Sequence, residues 1–334
     1  MTAQPSRLTR GYATALLSAA ILSTTAIFIR YLTQTYHVPP LVLAFWRDGF
    51  VVVTLFPILG LLRPILLRVK REHLLYLCAY GLALALFNSL WTLSVALNGA
   101  AAATVLVYCS TAFTAILGWW FLKERLDWAK LLAVGFCLGG CILVADALDA
   151  TVWRVNLVGI LTGIFSGLGY ALYSLMGRSA AQRGLNPWTT LLYTFGFAAI
   201  FLLGFNLLPG NFLPGAAQQP SDLFGLRDAL IGWTILFILA AGPTVMGFGL
   251  YNVSLSLLPA SVVNLIVTLE PVFTAAIAYL LLGERLSEIQ IGGSAMILAG
   301  VILLRVYEGW LVATNNRRTE SPISNPCPER SRRV

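Results

Sequence analysis

The sequence predicts an all-α integral membrane protein with ten transmembrane helices arranged as two inverted five-helix repeats. Three observations predict it. Apolar residues make up 58% of the 334 and charged residues only 11%, where a soluble globular chain averages about 25% charged; so much apolar surface calls for lipid as its solvent. Runs of about twenty apolar residues, long enough to cross a ~30 Å hydrocarbon core, recur ten times. Finally, the stretches VYCSTAFTAILGWWFLKERLD at 107–127 and VTLEPVFTAAIAYLLLGERLS at 267–287 read as two copies of one sentence.

The first run, 11–33, follows the basic stretch MTAQPSRLTR and exceeds the roughly 7–15 apolar residues of a secretory leader, so it is expected to span. The next four lie near 39–62, 74–97, 100–122 and 127–146, the last five near 156–177, 187–208, 229–255, 260–282 and 288–307. Short polar or charged connections join them, apart from the Pro/Gly-rich loop LPGNFLPGAAQQPSDLFG between the seventh and eighth. Residues 1–150 and 151–310 are the expected repeats, and the polar, basic stretch 311–334 is expected to be a disordered cytoplasmic tail. With the N-terminus inside, seventeen Lys and Arg fall on the inner side and four (Arg30, Arg154, Arg227, Arg285) on the outer. This bias places both termini in the cytoplasm and the chain in the cell membrane. The net charge of +8 is thus a set of orientation signals rather than a nucleic-acid-binding patch.

Aligning 99–144 with 259–304 at a constant offset of 160 needs no gap. Phe113-Thr114-Ala115 falls on Phe273-Thr274-Ala275, Glu124-Arg125-Leu126 on Glu284-Arg285-Leu286, and Gly140-x-Ile142-Leu143 on Gly300-x-Ile302-Leu303; upstream, Trp91 faces Tyr251 and Ser94 faces Ser254. Five helices per half is an odd number, so the second half is expected upside down, with the Glu-Arg-Leu turn inside at 124 and outside at 284. Inverted repeats suit alternating access about a midplane site. The doubled pattern resembles the EamA-type branch of the drug/metabolite transporter superfamily over all ten runs. The likeness lies in the aromatic-rich fourth helix ending in (G/K)-E-R-L, the glycine-rich fifth helix, and Pro271-Val272-Phe273; Thr111 stands where the first half would carry the proline. The resemblance implies an exporter of small metabolites, amino acids or drugs.

Candidate site residues are the polar ones far from span ends. Glu270 stands about ten residues into its run, ~15 Å deep at 1.5 Å per residue. An ionisable group there costs about 2.5–3.5 kcal/mol and normally faces a cavity or a partner, so it suits proton coupling or binding of a substrate amine; the alternative is a hydrogen-bonded packing contact. Ser110 holds the equivalent place, so the architecture itself does not demand a carboxylate. Pro271, read as helix-interior, would leave a carbonyl without its donor. Arg47 and Asp48 are adjacent, and adjacent helical residues do not face one another. Arg47 is expected either to snorkel to headgroups or to attract an anionic substrate group, and Asp48 to be structural. Asn88 and Trp91 share a face of the third helix, with Tyr251 and Asn252 in the matching region of the eighth; aromatic faces with sparse amides suit a cavity for amphipathic or cationic solutes. Tyr108, Asn264 and Thr268 on the fourth-position helices, and Tyr170 and Tyr173 on the sixth, are expected as further lining. Gly159, Gly163 and Gly167 form a stripe for close helix approach. Cys137 and Cys141 share a face without His or carboxylate and read as small packing residues.

No His-Glu-x-x-His, Gly-x-Ser-x-Gly or phosphate loop occurs, so the chain is not expected to be an enzyme or to carry a cofactor or metal. The expected partners are the bilayer, a small-molecule substrate and protons as the candidate coupling ion, with the monomer as the working unit. A passive facilitator or channel is the alternative, although neither rings of like charge nor carbonyl filters appear.

Overall fold

The computed structural model describes residues 4–123, 126–144, 150–208, 213–226, 229–283 and 287–320. Each of the ten apolar runs is helical. The first half comprises α1 (Gln4–Leu22) with α2 (Thr25–Thr35), α3 (Pro40–Leu62), α4 (Arg71–Asn98), α5 (Ala100–Val107) with α6 (Ser110–Leu122), and α7 (Trp128–Val144). The second comprises α8 (Ala150–Gln182), α9 (Pro187–Leu207), α10 (Leu230–Leu239) with α11 (Val245–Leu257), α12 (Ala260–Val267) with α13 (Glu270–Leu282), and α14 (Glu288–Glu320). Seven described helical stretches are long and apolar enough to cross a membrane, and Ser110–Leu122 is a shorter apolar helix. The chain is a multi-pass membrane protein. Its outward faces carry apolar side chains such as Leu61, Trp120 and Leu280, as lipid contact requires. The last helix runs on to Glu320, past residue 311 where the tail was expected to begin, because LVA continues the apolar helix without a Pro or Gly stop; 321–334 lie outside the described residues.

Three runs that read as single helices are broken, and a fourth is bulged. At Ser23–Thr24 both hydroxyls turn back onto the preceding turn, Ser23 Oγ to Ala20 O at 2.7 Å and Thr24 Oγ1 to Ile21 O at 2.8 Å. The Ser23 carbonyl accepts instead from Thr274 Oγ1 of α13 at 3.0 Å, a tertiary substitute for a helical bond. Between α10 and α11, Pro243 falls in a π turn, Ala240–Thr244; Thr244 Oγ1 donates at 2.8 Å to the Leu239 carbonyl that the proline cannot serve. The other two breaks are repeats of each other: Tyr108–Cys109 and Thr268–Leu269 lie 160 positions apart, the offset of the sequence alignment. Pro271 is therefore the second residue of a new helix and not a helix-interior residue. There its missing N–H is no loss; the break comes three residues earlier than the proline alone indicates.

Helix crossings run antiparallel. Along α4 and α8, Asn98 Nδ2 donates to Gly159 O at 2.7 Å while Tyr76 Oη donates to Met176 O at 2.5 Å. Along α3 and α9, Asn206 Nδ2 reaches Leu41 O at 3.1 Å and Thr189 Oγ1 reaches Leu66 O, in the 3-10 turn just after α3, at 2.8 Å. The expected glycine stripe seats α8 against the α5–α6 break, since a β-carbon on Gly167 would stand 2.9 Å from Val107 O and 3.0 Å from Ser110 N. The Glu124-Arg125 and Glu284-Arg285 turns lie outside the described residues, but the residue before each is described. Lys123 (φ 53°) and Gly283 (φ 67°) are both left-handed and end α6 and α13. This is the glycine-favouring position just past a helix C-terminus, which accounts for the G in the (G/K)-E-R-L pattern.

Candidate functional site

The two broken helix pairs, α5–α6 and α12–α13, cross near their breaks, and each contributes one side of a buried hydrogen bond. Tyr108, in the first break, donates its hydroxyl to Glu270 Oε2 at 2.5 Å. Glu270 opens α13, at the positive end of its helix dipole. A second bond crosses the same way: Asn264 Nδ2 of α12 donates to Thr114 Oγ1 of α6 at 2.5 Å. Moving up one chain from 108 to 114 moves down the other from 270 to 264, so the crossing is antiparallel.

Beside this bond is a small cavity of about 20 Å³ lined by Leu22, Thr25, Phe87, Trp91, Val107, Tyr108, Tyr170, Phe248 and Glu270. Its wall is mostly aromatic. Tyr170 stacks on Phe87 with ring centroids 5.0 Å apart and on Tyr251 at 5.4 Å, and Tyr108 meets it edge-on at 6.3 Å. Aromatic faces beside a carboxylate suit apolar and cationic groups; in this closed arrangement the space holds about one water molecule, so a solute enters only when the helices around it part.

Of the sequence-predicted residues, the structure brings Glu270, Tyr108, Trp91 and Tyr170 into the cavity wall. Tyr173, Tyr251, Asn252 and Asn264 lie behind it in hydrogen-bonded pairs and chains. Tyr251 Oη donates to Asn264 Oδ1 at 2.9 Å and lies 2.6 Å from Ser174 Oγ; Asn252 Nδ2 donates to Tyr173 Oη at 3.2 Å. Thr268 uses its hydroxyl locally, on Leu265 O at 2.6 Å. Leu22, Thr25, Phe87, Val107 and Phe248 were not anticipated: an apolar side chain facing a cavity carries the same sequence signal as one facing lipid, although Phe87 stands one helical turn from Trp91.

Arg47 and Asp48 depart from expectation. Arg47 is fully buried and does not snorkel, and its Nε lies 3.3 Å from Asp48 Oδ1. The long arginine side chain bridges a separation that shorter neighbours cannot. Asp48 also accepts from Asn88 Nδ2 at 2.7 Å, and the guanidinium carbon sits 5.7 Å from the Trp91 ring centroid. Among the described residues, no cluster of three or more His, Cys, Asp or Glu could hold a metal ion.

The model of the EamA-like transporter family matches this chain twice, at residues 9–145 and 157–306. The chain belongs to the EamA-like transporter family. The two matches coincide with the halves that the offset of 160 separates. Within the family, the chain is 27% identical over 298 residues to an uncharacterized transporter of Archaeoglobus fulgidus, covering 88% of this chain and 95% of that one. It is 26% identical over 271 residues to a "probable amino-acid metabolite efflux pump" of Salmonella typhimurium (80% of this chain, 86% of that one). A threonine/homoserine exporter of the same organism is 28% identical over 248 residues (72% and 75%). A solved crystal structure superposes with a TM-score of 0.61 at 18% identity, covering 90% of this chain and 97% of that one, a likeness of fold alone.

Proposed function

We infer that this EamA-like transporter is a secondary transporter working as an exporter. It moves small metabolites, amino acids or amphipathic compounds, by alternating access about the cavity between Tyr108, Glu270 and Trp91. The reading takes the chain as ten spans in two inverted halves, 1–150 and 151–310, with both termini cytoplasmic in the cell membrane and the monomer as the working unit. The observation that carries it is the antiparallel crossing of α5–α6 with α12–α13, whose breaks meet at the one carboxylate lining the cavity. Two helices broken at equivalent positions supply a shared hinge, and exchanging the conformations of the two halves opens the cavity to the opposite side. The relatives named for amino-acid and threonine/homoserine efflux support the solute class and the direction.

Protons are the candidate coupling ion, because among the described residues Glu270 bonds to Tyr108 alone, whereas the buried carboxylate of Asp48 is held by both Arg47 and Asn88. The test is Glu270→Gln in proteoliposomes under an imposed pH gradient. The expected result is loss of gradient-driven accumulation with substrate exchange retained. Unchanged driven accumulation would remove Glu270 from the coupling step, and gradient-independent equilibration by the unaltered chain would identify a passive facilitator instead.

A further inference from the structure

A second polar spot, centred on Arg47, lies between α3 and α4 behind Trp91, whose ring lines the cavity and carries the guanidinium over it. Arg47 uses only its Nε on Asp48; its Nη1 and Nη2 are buried and meet no acceptor among the described residues. These two nitrogens carry four N–H donors, and a buried charged donor without an acceptor is costly. They are not isolated. Trp91 Nε1, in the ring that the guanidinium overlies, is also buried and without a partner, as are Asn88 Oδ1 and Thr92 Oγ1. Trp91 is the link to the cavity, since the same side chain lines the space that Glu270 opens into.

The donor geometry selects the ligand. Asp48 holds the Nε edge and so fixes the guanidinium plane, leaving its terminal edge free. That edge presents two parallel N–H bonds, the complement of the two oxygens of a carboxylate. The nearby indole N–H adds a third donor. Asp48 balances the resting charge of Arg47, which is how an arginine stays buried while the site is empty.

We propose that the terminal nitrogens of Arg47, with Trp91 Nε1, form an anion subsite that takes the carboxylate of a solute whose ammonium group is held at Glu270, so that the chain selects zwitterionic amino acids. The proposal rests on the transport reading in treating the cavity as the passage, and it adds a requirement that reading lacks. Amines and esters that fit the aromatic wall but lack the acid are poor ligands.

The test uses the purified full-length chain in nanodiscs and measures binding of threonine, leucine and phenylalanine, each against its methyl ester and its decarboxylated amine. The expected result is that at least one acid binds and that its ester and amine bind about tenfold or more weakly, the loss expected for a bidentate charged hydrogen bond. In Arg47→Gln/Asp48→Asn, which keeps the shape without burying an unpaired charge, the acid drops to the affinity of its ester while the ester is unchanged. Equal binding of acid, ester and amine by the unaltered chain would overturn the anion subsite and leave the transport reading standing, and needs no variant to fold. Binding of none of the compounds would overturn both.

Discussion

Tyr108 and Glu270 stand 162 positions apart in the chain and 2.5 Å apart in space. Only one of them was conspicuous in the sequence. A lone carboxylate in an apolar run is readable because lipid makes it expensive, and Ser110 at the equivalent place marks it as a departure from the repeat. The tyrosine partner was one of several candidates, since nothing local says where a phenol points. Tyr108→Phe tests the bond: the ring keeps its edge contact with Tyr170 while the hydroxyl is lost. Transport is expected to fall by about tenfold or more with folding preserved, the loss typical of a hydrogen bond to a charged group; uptake assays with a thermal melt measure both. Asn264 separates structural from functional polarity. Its amide ties Tyr251 of α11 to Thr114 of α6, so Asn264→Leu removes both buried bonds, leaves Tyr251 with its Ser174 contact, and is expected to destabilise by about 1–3 kcal/mol. Thr268→Val, which removes only a bond to its own helix, is expected to stay within about 1 kcal/mol by the same melt. Arg47 shows where residue-level reading failed. The rule that neighbours on a helix face apart is a rule about Cβ directions, and a side chain as long as arginine can bend round it.

At the scale of elements, all ten helical runs were legible because their period is the membrane itself: about twenty apolar residues, then a polar connection. The breaks were not. Tyr108–Cys109 contains neither Pro nor Gly, and its counterpart Thr268–Leu269 precedes its proline, so hydropathy reads through both. What opens them is tertiary: the crossing bonds of the two pairs, and α8 lying close enough that Gly167 has no room for a side chain. The helix ends do carry a local signal. Lys123 and Gly283 occupy the same left-handed position, and a residue with a β-carbon pays roughly 1–2 kcal/mol there that glycine does not. Lys123→Gly is expected to raise the melting temperature by an amount corresponding to about 1 kcal/mol, and Gly283→Ala to lower it by about as much, each read by thermal unfolding in detergent. The reverse signs would mean that the lysine side chain, not the backbone, sets that turn.

At the scale of the whole molecule, the two halves answer each other in ways the aligned segments do not include. In the first, Arg30 of α2 donates from Nη1 to Ala96 O at 2.8 Å, two residues before α4 ends; in the second, Arg178 of α8 donates from Nη1 to Leu255 O at 2.9 Å, two residues before α11 ends. Each half thus ties its first span to the last turn of its third, although the residues around Arg30 and Arg178 share no motif. The same tie made twice by unlike sequences is what a conserved backbone geometry with diverged side chains produces. If the halves are inverted, these two ties sit at opposite faces of the membrane, and so do the loops after α6 and α13. Single cysteines at Lys123 and Ser287, introduced into a chain whose five native cysteines are replaced, test this directly. In intact cells a membrane-impermeant maleimide is expected to label Ser287→Cys, and to label Lys123→Cys only after permeabilisation. Labelling of both from one side would make the halves parallel. The antiparallel crossing at Tyr108 and Glu270 would then lose its symmetry partner, and with it the argument that one cavity serves both faces.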